Sequence, residues 1–342
     1  MSNTLPAPAH SHARTVVVLT GASSGIGHAT ALAYARCGAR LVLAARGVEA
    51  LETLAEACRL LDAEVLVVPT DVSKFDAVQA LAKAAVQRFG QIDVWINNAG
   101  VGAVGEFACT PMAAHRQIIE TNLLGHMHGA HAVLPHFRER GKGTLINVIS
   151  VSGWAASAYA AAYTASKFGL RGFTQSLHAE LSGLPAVHVC AVYPTFVDTP
   201  AMLHGANYTG KRLQPPPPLV DPRSVANVLL SLAHRPRAST SVGSVAMPSW
   251  LAGQLAPQLT GRISREAIRR ALGQADTAPV TDGNLFAPSQ GHNIDGGYRM
   301  PMARKVPVIG AALLGVAALG WLWAHAHQRH HMPAARQKKA GR

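Results

Sequence analysis

Tyr163 and Lys167 stand four residues apart in Tyr163-Thr164-Ala165-Ser166-Lys167, and Ser150 precedes the tyrosine by thirteen positions. On a helix, positions i and i+4 share a face, so the ammonium can sit beside the phenol. A fixed positive charge there favours the phenolate and draws the tyrosine pKa down. Ser150 follows an apolar run, residues 144–149, that reads as a buried strand. A hydroxyl at such a strand end can hydrogen-bond a substrate oxygen. Singly, each residue reads as packing or surface, and Ser152 competes with Ser150. Together they form a proton donor for a carbonyl that needs a source of hydride.

The elements that must position that source lie near the start of the chain. Residues 15–19, dominated by valine, have the pattern of a central parallel strand. The strand runs into Thr20-Gly21-Ala22-Ser23-Ser24-Gly25-Ile26-Gly27 and then into a helical stretch at 28–37. Strand, glycine turn and helix place a pyrophosphate on a helix N-terminus, where free N–H groups and the positive dipole end meet the anion.

On these motifs the chain resembles the short-chain dehydrogenases/reductases over roughly residues 15–247. The family's glycine motif appears as Thr20 to Gly27, its adenine-side acid as Asp71 before Val72, and its structural turn as Asn97-Asn98-Ala99-Gly100. The resemblance assigns Asn122, Ser150, Tyr163 and Lys167 as the catalytic set, its spacing favouring Ser150 over Ser152. It implies that Tyr163 is the general acid/base and that Ser150 stabilises the developing oxyanion. Lys167 lowers the tyrosine pKa and bonds the nicotinamide ribose, and Asn122 bends its helix and holds a relay water. Pro194, Val197 and Thr199 occupy the segment that holds the nicotinamide carboxamide, with Thr195 where the family has glycine.

Cofactor choice follows from charge. An acid at the end of the second strand would bind the ribose hydroxyls of NAD, whereas this chain has Ala44-Ala45-Arg46. Arg46 can pair with a 2′-phosphate, so the expected cofactor is NADP in preference to NAD. Trp154 and Tyr159 lie between Ser150 and Tyr163, and Met202, Leu203, Tyr208 and Leu213 lie on the expected lid. This apolar lining, with Trp154, Tyr159 and Met202 as candidate substrate contacts beside Ser150, suggests a lipophilic carbonyl or secondary alcohol. The alternative reading is a catalytically silent NADP(H)-binding regulator or membrane scaffold.

Composition bounds the architecture. The chain has 342 residues, about half of them apolar, enough for one large core with extensions. Strands are expected at 15–19, 40–44, 64–69, 93–96, 144–149, 186–192 and 240–245. Helices are expected at 48–61, 74–89, 111–140, 159–181 and 223–233. This alternation predicts an α/β fold, a doubly wound parallel sheet of the Rossmann type, with a C-terminal helical extension and a terminal apolar helix. The expected divisions are a loose leader (1–14), the catalytic domain (15–249), and an extension with linker (250–304). A transmembrane helix (305–324) and a basic tail (325–342) follow. A helix is expected at 263–272 and a linker at 275–302.

Four cysteines show neither metal-ligand nor disulfide spacing, and no metal is expected, the tail histidines lacking a fixed second shell. Residues 1–204 carry 14 Lys/Arg against 13 Asp/Glu, and residues 205–342 carry 17 against 5. Nucleic-acid binding is not expected, because the basic half lacks aromatic interleaving and any recognisable motif. Residues 306–324 are uncharged, and as a helix would span about 28 Å, near a bilayer's hydrocarbon thickness. Membrane association through this C-terminal segment is therefore expected, with the catalytic domain on the cytoplasmic side. The resemblance also implies a homodimer or homotetramer through the helices at 111–140 and 159–181.

Overall fold

Val16–Thr20 (β1) is almost entirely shielded from solvent. Its run of valines meets apolar neighbours on both faces, as a central parallel strand must. The computed structural model describes residues 14–299, so the leader through residue 13, the apolar run 306–324 and the basic tail lie outside the described residues. After β1 come Gly25–Ala35 (α1), Arg40–Ala45 (β2), Val48–Arg59 (α2), Val65–Pro69 (β3), Phe75–Phe89 (α3) and Val94–Asn97 (β4). A short strand Ala103–Val104 (β5) precedes Met112–Ile119 (α4), Gly125–Arg140 (α5), Gly143–Val148 (β6) and Ala161–Glu180 (α6). Val187–Pro194 (β7), Ala201–His204 (α7), Ala206–Asn207 (β8), Pro222–Leu232 (α8) and Ser239–Val242 (β9) follow. Ala246–Leu255 (α9) and Pro257–Gln274 (α10) complete the order.

Seven strands form one parallel sheet in the order β3-β2-β1-β4-β6-β7-β9. The order reverses at β1 and β4, which opens a crevice at the carboxyl ends of the strands. Helices cover both faces through apolar stripes. In α2 these are Leu51, Leu54, Ala55 and Cys58, and in α3 Val78, Leu81, Ala82 and Ala85, all at helical spacing. Asp221 caps α8 by accepting from the Arg223 amide at 2.8 Å, with Pro222 at the first helical position. The expected architecture of the sheet and its helices is the observed one.

One expectation is refined and one needs correction. Residues 112–140 are helical without a break, as expected, but a π-helical turn, Glu120–Leu124, lies between α4 and α5. There the Asn122 amide oxygen accepts from the Val101 N–H at 2.8 Å and its amide nitrogen donates to the Val101 carbonyl at 2.9 Å. A side chain that satisfies a neighbouring loop so completely is accommodated by widening the helix. Residues 275–299 do not behave as a linker. Thr281 pairs antiparallel with Asn207, Leu285 is fully buried, and the Gly296 N–H donates to the Asp198 carbonyl at 3.1 Å. Among the described residues no helix is long and apolar enough to cross a membrane.

Candidate active site

Helix α6 begins at Ala161, so Tyr163 and Lys167 lie one turn apart on its buried side, facing the carboxyl end of β6. Ser150 lies two residues past the end of β6, and its hydroxyl accepts from the Ser152 N–H at 3.1 Å. Ser150, Tyr163 and Lys167 line one cavity of about 330 Å³. The Lys167 Nζ stands 5.7 Å from the Tyr163 ring centre and donates to the Val148 carbonyl at 3.3 Å. Asn122 lies below them, fully buried, also donating to the Ser166 hydroxyl at 3.2 Å.

The electrostatics differ from the simple charge argument. Burial raises the Tyr163 pKa, and the hydrogen bond from Ser150 pulls it partly back. Burial also lowers Lys167 to about 8, so its ammonium persists at neutral pH but is lost not far above it. The predicted downward shift of the tyrosine is therefore replaced by an upward one. Desolvation of the phenolate outweighs the Ser150 hydrogen bond.

The glycine turn joins β1 to α1 as predicted. Gly21 takes a left-handed backbone (φ +64°), and a Cβ on Gly27 would be driven into the Gly21 carbonyl. Gly21, Ser23, Ser24, Gly25 and Ile26 line a second cavity of about 200 Å³ with Arg46, Asp71 and Val72. Asn98, Ala99, Gly100 and Thr199 also line it, while Pro194 and Val197 line the first cavity. Thr20 supports the turn from beneath, its hydroxyl accepting from the Asn98 N–H at 3.1 Å. The Asn98 amide donates to the Thr20 and Gly21 carbonyls. Backbone bare of side chains at a helix N-terminus, beside a cavity that Arg46 and Asp71 line, fits the phosphates and adenosine of a nicotinamide dinucleotide.

Several residues sit elsewhere than predicted. Trp154 is buried away from the catalytic cavity, stacked on Tyr193 with ring centres 4.0 Å apart. Tyr159 has a left-handed backbone (φ +59°), its carbonyl accepts from the Gly105 N–H, and its side chain does not line the cavity. Met202 and Leu213 do line it, whereas Leu203 is exposed and the Tyr208 hydroxyl donates to Asp282. Arg46 is not free. Its guanidinium donates to the Leu285 carbonyl at 3.0 Å and to the Asn284 carbonyl.

Two residues escaped the sequence reading. His126 is fully buried, and its Nε2 donates to the Ala99 carbonyl at 3.1 Å, bracing the turn after β4. Burial, then the Lys167 charge, lowers its pKa to about 3, so it is neutral. Asn284 lines both cavities although it lies in the stretch read as a linker. Neither carries a local signal, since one is a histidine on a helix and the other an asparagine among turn residues. Among the described residues no three potential metal ligands converge.

Comparison with known proteins agrees with this geometry. Residues 15–207 match the family described as short chain dehydrogenase. An uncharacterized oxidoreductase of Bacillus subtilis (strain 168), YxnA, is 35% identical over 256 residues, which are 74% of this chain and 72% of that protein. A variant of actinorhodin polyketide ketoreductase with NADPH superposes with a TM-score of 0.63 at 32% identity, covering 68% of this chain and 97% of its own. A short chain dehydrogenase/reductase from Burkholderia phymatum in complex with NAD superposes with a TM-score of 0.63 at 26% identity, covering 79% of this chain and 100% of its own.

Proposed function

The chain belongs to the short-chain dehydrogenase family, and from that premise we propose that it interconverts a lipophilic ketone or aldehyde and its alcohol, using NADP(H) in preference to NAD(H). Dependence on a nicotinamide cofactor and the oxidoreductase class follow from membership of the family. The observation that carries the rest is the convergence of Ser150, Tyr163 and Lys167 on one cavity whose other walls are largely apolar. Val101, Ala103, Val104, Val151, Met202 and Leu213 are among them. Lys167 is the one cationic side chain in that lining, and no carboxylate joins it.

A bound nicotinamide ring supplies or accepts the hydride. Tyr163 holds the proton at its phenol oxygen, and its raised pKa keeps it protonated at neutral pH, ready to donate to a carbonyl oxygen. The Ser150 hydroxyl lies beside that phenol and can donate to the same oxygen as charge develops there. Lys167 sits behind the tyrosine, buried and, with a pKa of about 8, still an ammonium at neutral pH, and moderates the cost of the phenolate left after transfer. Asn122 keeps the Val101 loop in place through paired backbone hydrogen bonds. Cofactor preference rests on Arg46, which lines the adenosine cavity where no acid closes β2. Two of the guanidinium's five N–H donors serve the C-terminal segment, leaving others for a phosphate.

The test is NADPH oxidation with matched panels of lipophilic and small charged carbonyls, comparing the native chain with Tyr163→Phe. Turnover of the lipophilic panel, reduced at least about 100-fold by the substitution, is the expected result. Preference for small charged carbonyls would overturn the substrate assignment. Cofactor binding without turnover of any carbonyl would favour a silent regulator. Membrane attachment through residues 306–324 is part of the same proposal, supported by their unbroken apolar character. Recovery of the full chain in the soluble fraction without detergent would sink it.

A further inference from the structure

Residues 282–298 lie beyond the family match at 15–207, yet they cross the mouth of the cofactor cleft. The Asn284 N–H donates to the His204 carbonyl at 2.7 Å, and the Asn284 and Leu285 carbonyls accept from Arg46. Leu285 is fully buried beside Val101 and Ala103. Further on, the Gly25 N–H of the glycine turn donates to the Asn293 carbonyl at 3.0 Å. Arg223 grips Asp295 through its two terminal guanidinium nitrogens, and the Tyr298 N–H donates to an Asp198 carboxylate oxygen at 2.9 Å. The segment is thus tied to the glycine turn, to the end of β2 and to the loop after β7.

One side chain on this strap is unfinished. The Asn284 amide nitrogen donates to the Ser289 hydroxyl at 3.1 Å, which sets the plane of the amide. Its oxygen is buried and has no hydrogen-bond partner. A buried carbonyl oxygen without a donor is costly, and in proteins such atoms are rare. Asn284 is also the strap residue that borders both the catalytic cavity and the adenosine cavity. An extended dinucleotide that fills the two must pass it, and the donors such a ligand carries between its rings are ribose hydroxyls.

We infer that residues 282–298 are a built part of the cofactor site, and that the Asn284 amide oxygen accepts a hydrogen bond from a ribose hydroxyl of the bound dinucleotide. This rests on the dehydrogenase reading given above and deepens it. The strap holds Arg46 in the same place, so one short segment both orients the cationic side chain and contacts the sugar. Specificity for a nicotinamide dinucleotide over a free nucleoside phosphate follows, because only the longer ligand meets Asn284 and the catalytic cavity together.

The experiment is a fluorescence titration of the full chain with NADPH, followed by Asn284→Ala and Ser289→Ala. The first removes the acceptor while keeping the backbone carbonyls that hold Arg46. The second keeps the acceptor but frees the amide to rotate. Loss of one such hydrogen bond weakens Kd about 5- to 10-fold for Asn284→Ala. Ser289→Ala, the variant that serves should the first not fold, weakens it in the same direction by less. Native-like affinity in both variants, with normal binding by the parent chain, would overturn the strap assignment and leave the dehydrogenase reading standing. A parent chain that binds neither NADPH nor NADH would overturn both.

Discussion

Arg223 and Asp295 meet through two parallel hydrogen bonds of 2.9 and 2.8 Å across 72 positions of sequence. The pair joins the start of α8 to the last turn of the strap, and both side chains remain partly exposed. An exposed pair is worth at most about 1 kcal/mol, so its role is local. Asp295→Asn is expected to leave the melting temperature nearly unchanged. Hydrogen exchange should meanwhile quicken at residues 284–298. A large fall in melting temperature with no change in local exchange would show that the pair supports the core instead.

The pH dependence of reduction follows from Lys167. Its pKa of about 8 predicts a flat reductive kcat/KM through neutral pH and a decline as pH rises through about 8. Tyr163 does not produce this limb, because its pKa is raised and it stays protonated there. A pH–rate profile with a lipophilic carbonyl checks this, and a profile flat to pH 10 would contradict it.

His126 makes an opposite prediction for stability. Its folded pKa of about 3 lies below the unfolded value of 6.5, so between these pH values the unfolded chain binds the extra proton. Stability is therefore lost as pH falls from about 6.5 towards 3, at up to about 1.4 kcal/mol per pH unit from this group. Urea unfolding at several pH values should show this slope, and His126→Gln should reduce it by about one proton. An unchanged slope would assign the acid sensitivity to other groups.

Gly27 tests the glycine turn without touching the catalytic residues. Gly27→Ala would press a methyl group into the Gly21 carbonyl, and because the atoms it meets are backbone of Gly21 and Ala22 there is little room to relax. A destabilisation of about 1–3 kcal/mol with weakened NADPH binding is expected. Unfolding curves paired with a cofactor titration measure both, and native values in each would show that the turn yields more easily than its packing suggests.

The parts whose physics is local can be read from residue order alone. A valine run buried on both faces, a glycine turn at a helix start and a helical Tyr-to-Lys spacing each show in a few consecutive residues. Hence the sheet, the glycine turn and the grouping of Ser150, Tyr163 and Lys167 were legible before any coordinates. Other features depend on backbone that is distant in the chain and close only in the fold. Trp154 turns away because Tyr193 offers it a stacking face, and Asn122 widens its helix because the Val101 loop lies opposite. The Arg46 side chain reaches carbonyls 238 and 239 residues away. Carbonyl acceptors are the same at every position and leave no trace in residue type. A segment rich in glycine, proline and polar residues therefore reads as a linker until the fold shows which donors it meets.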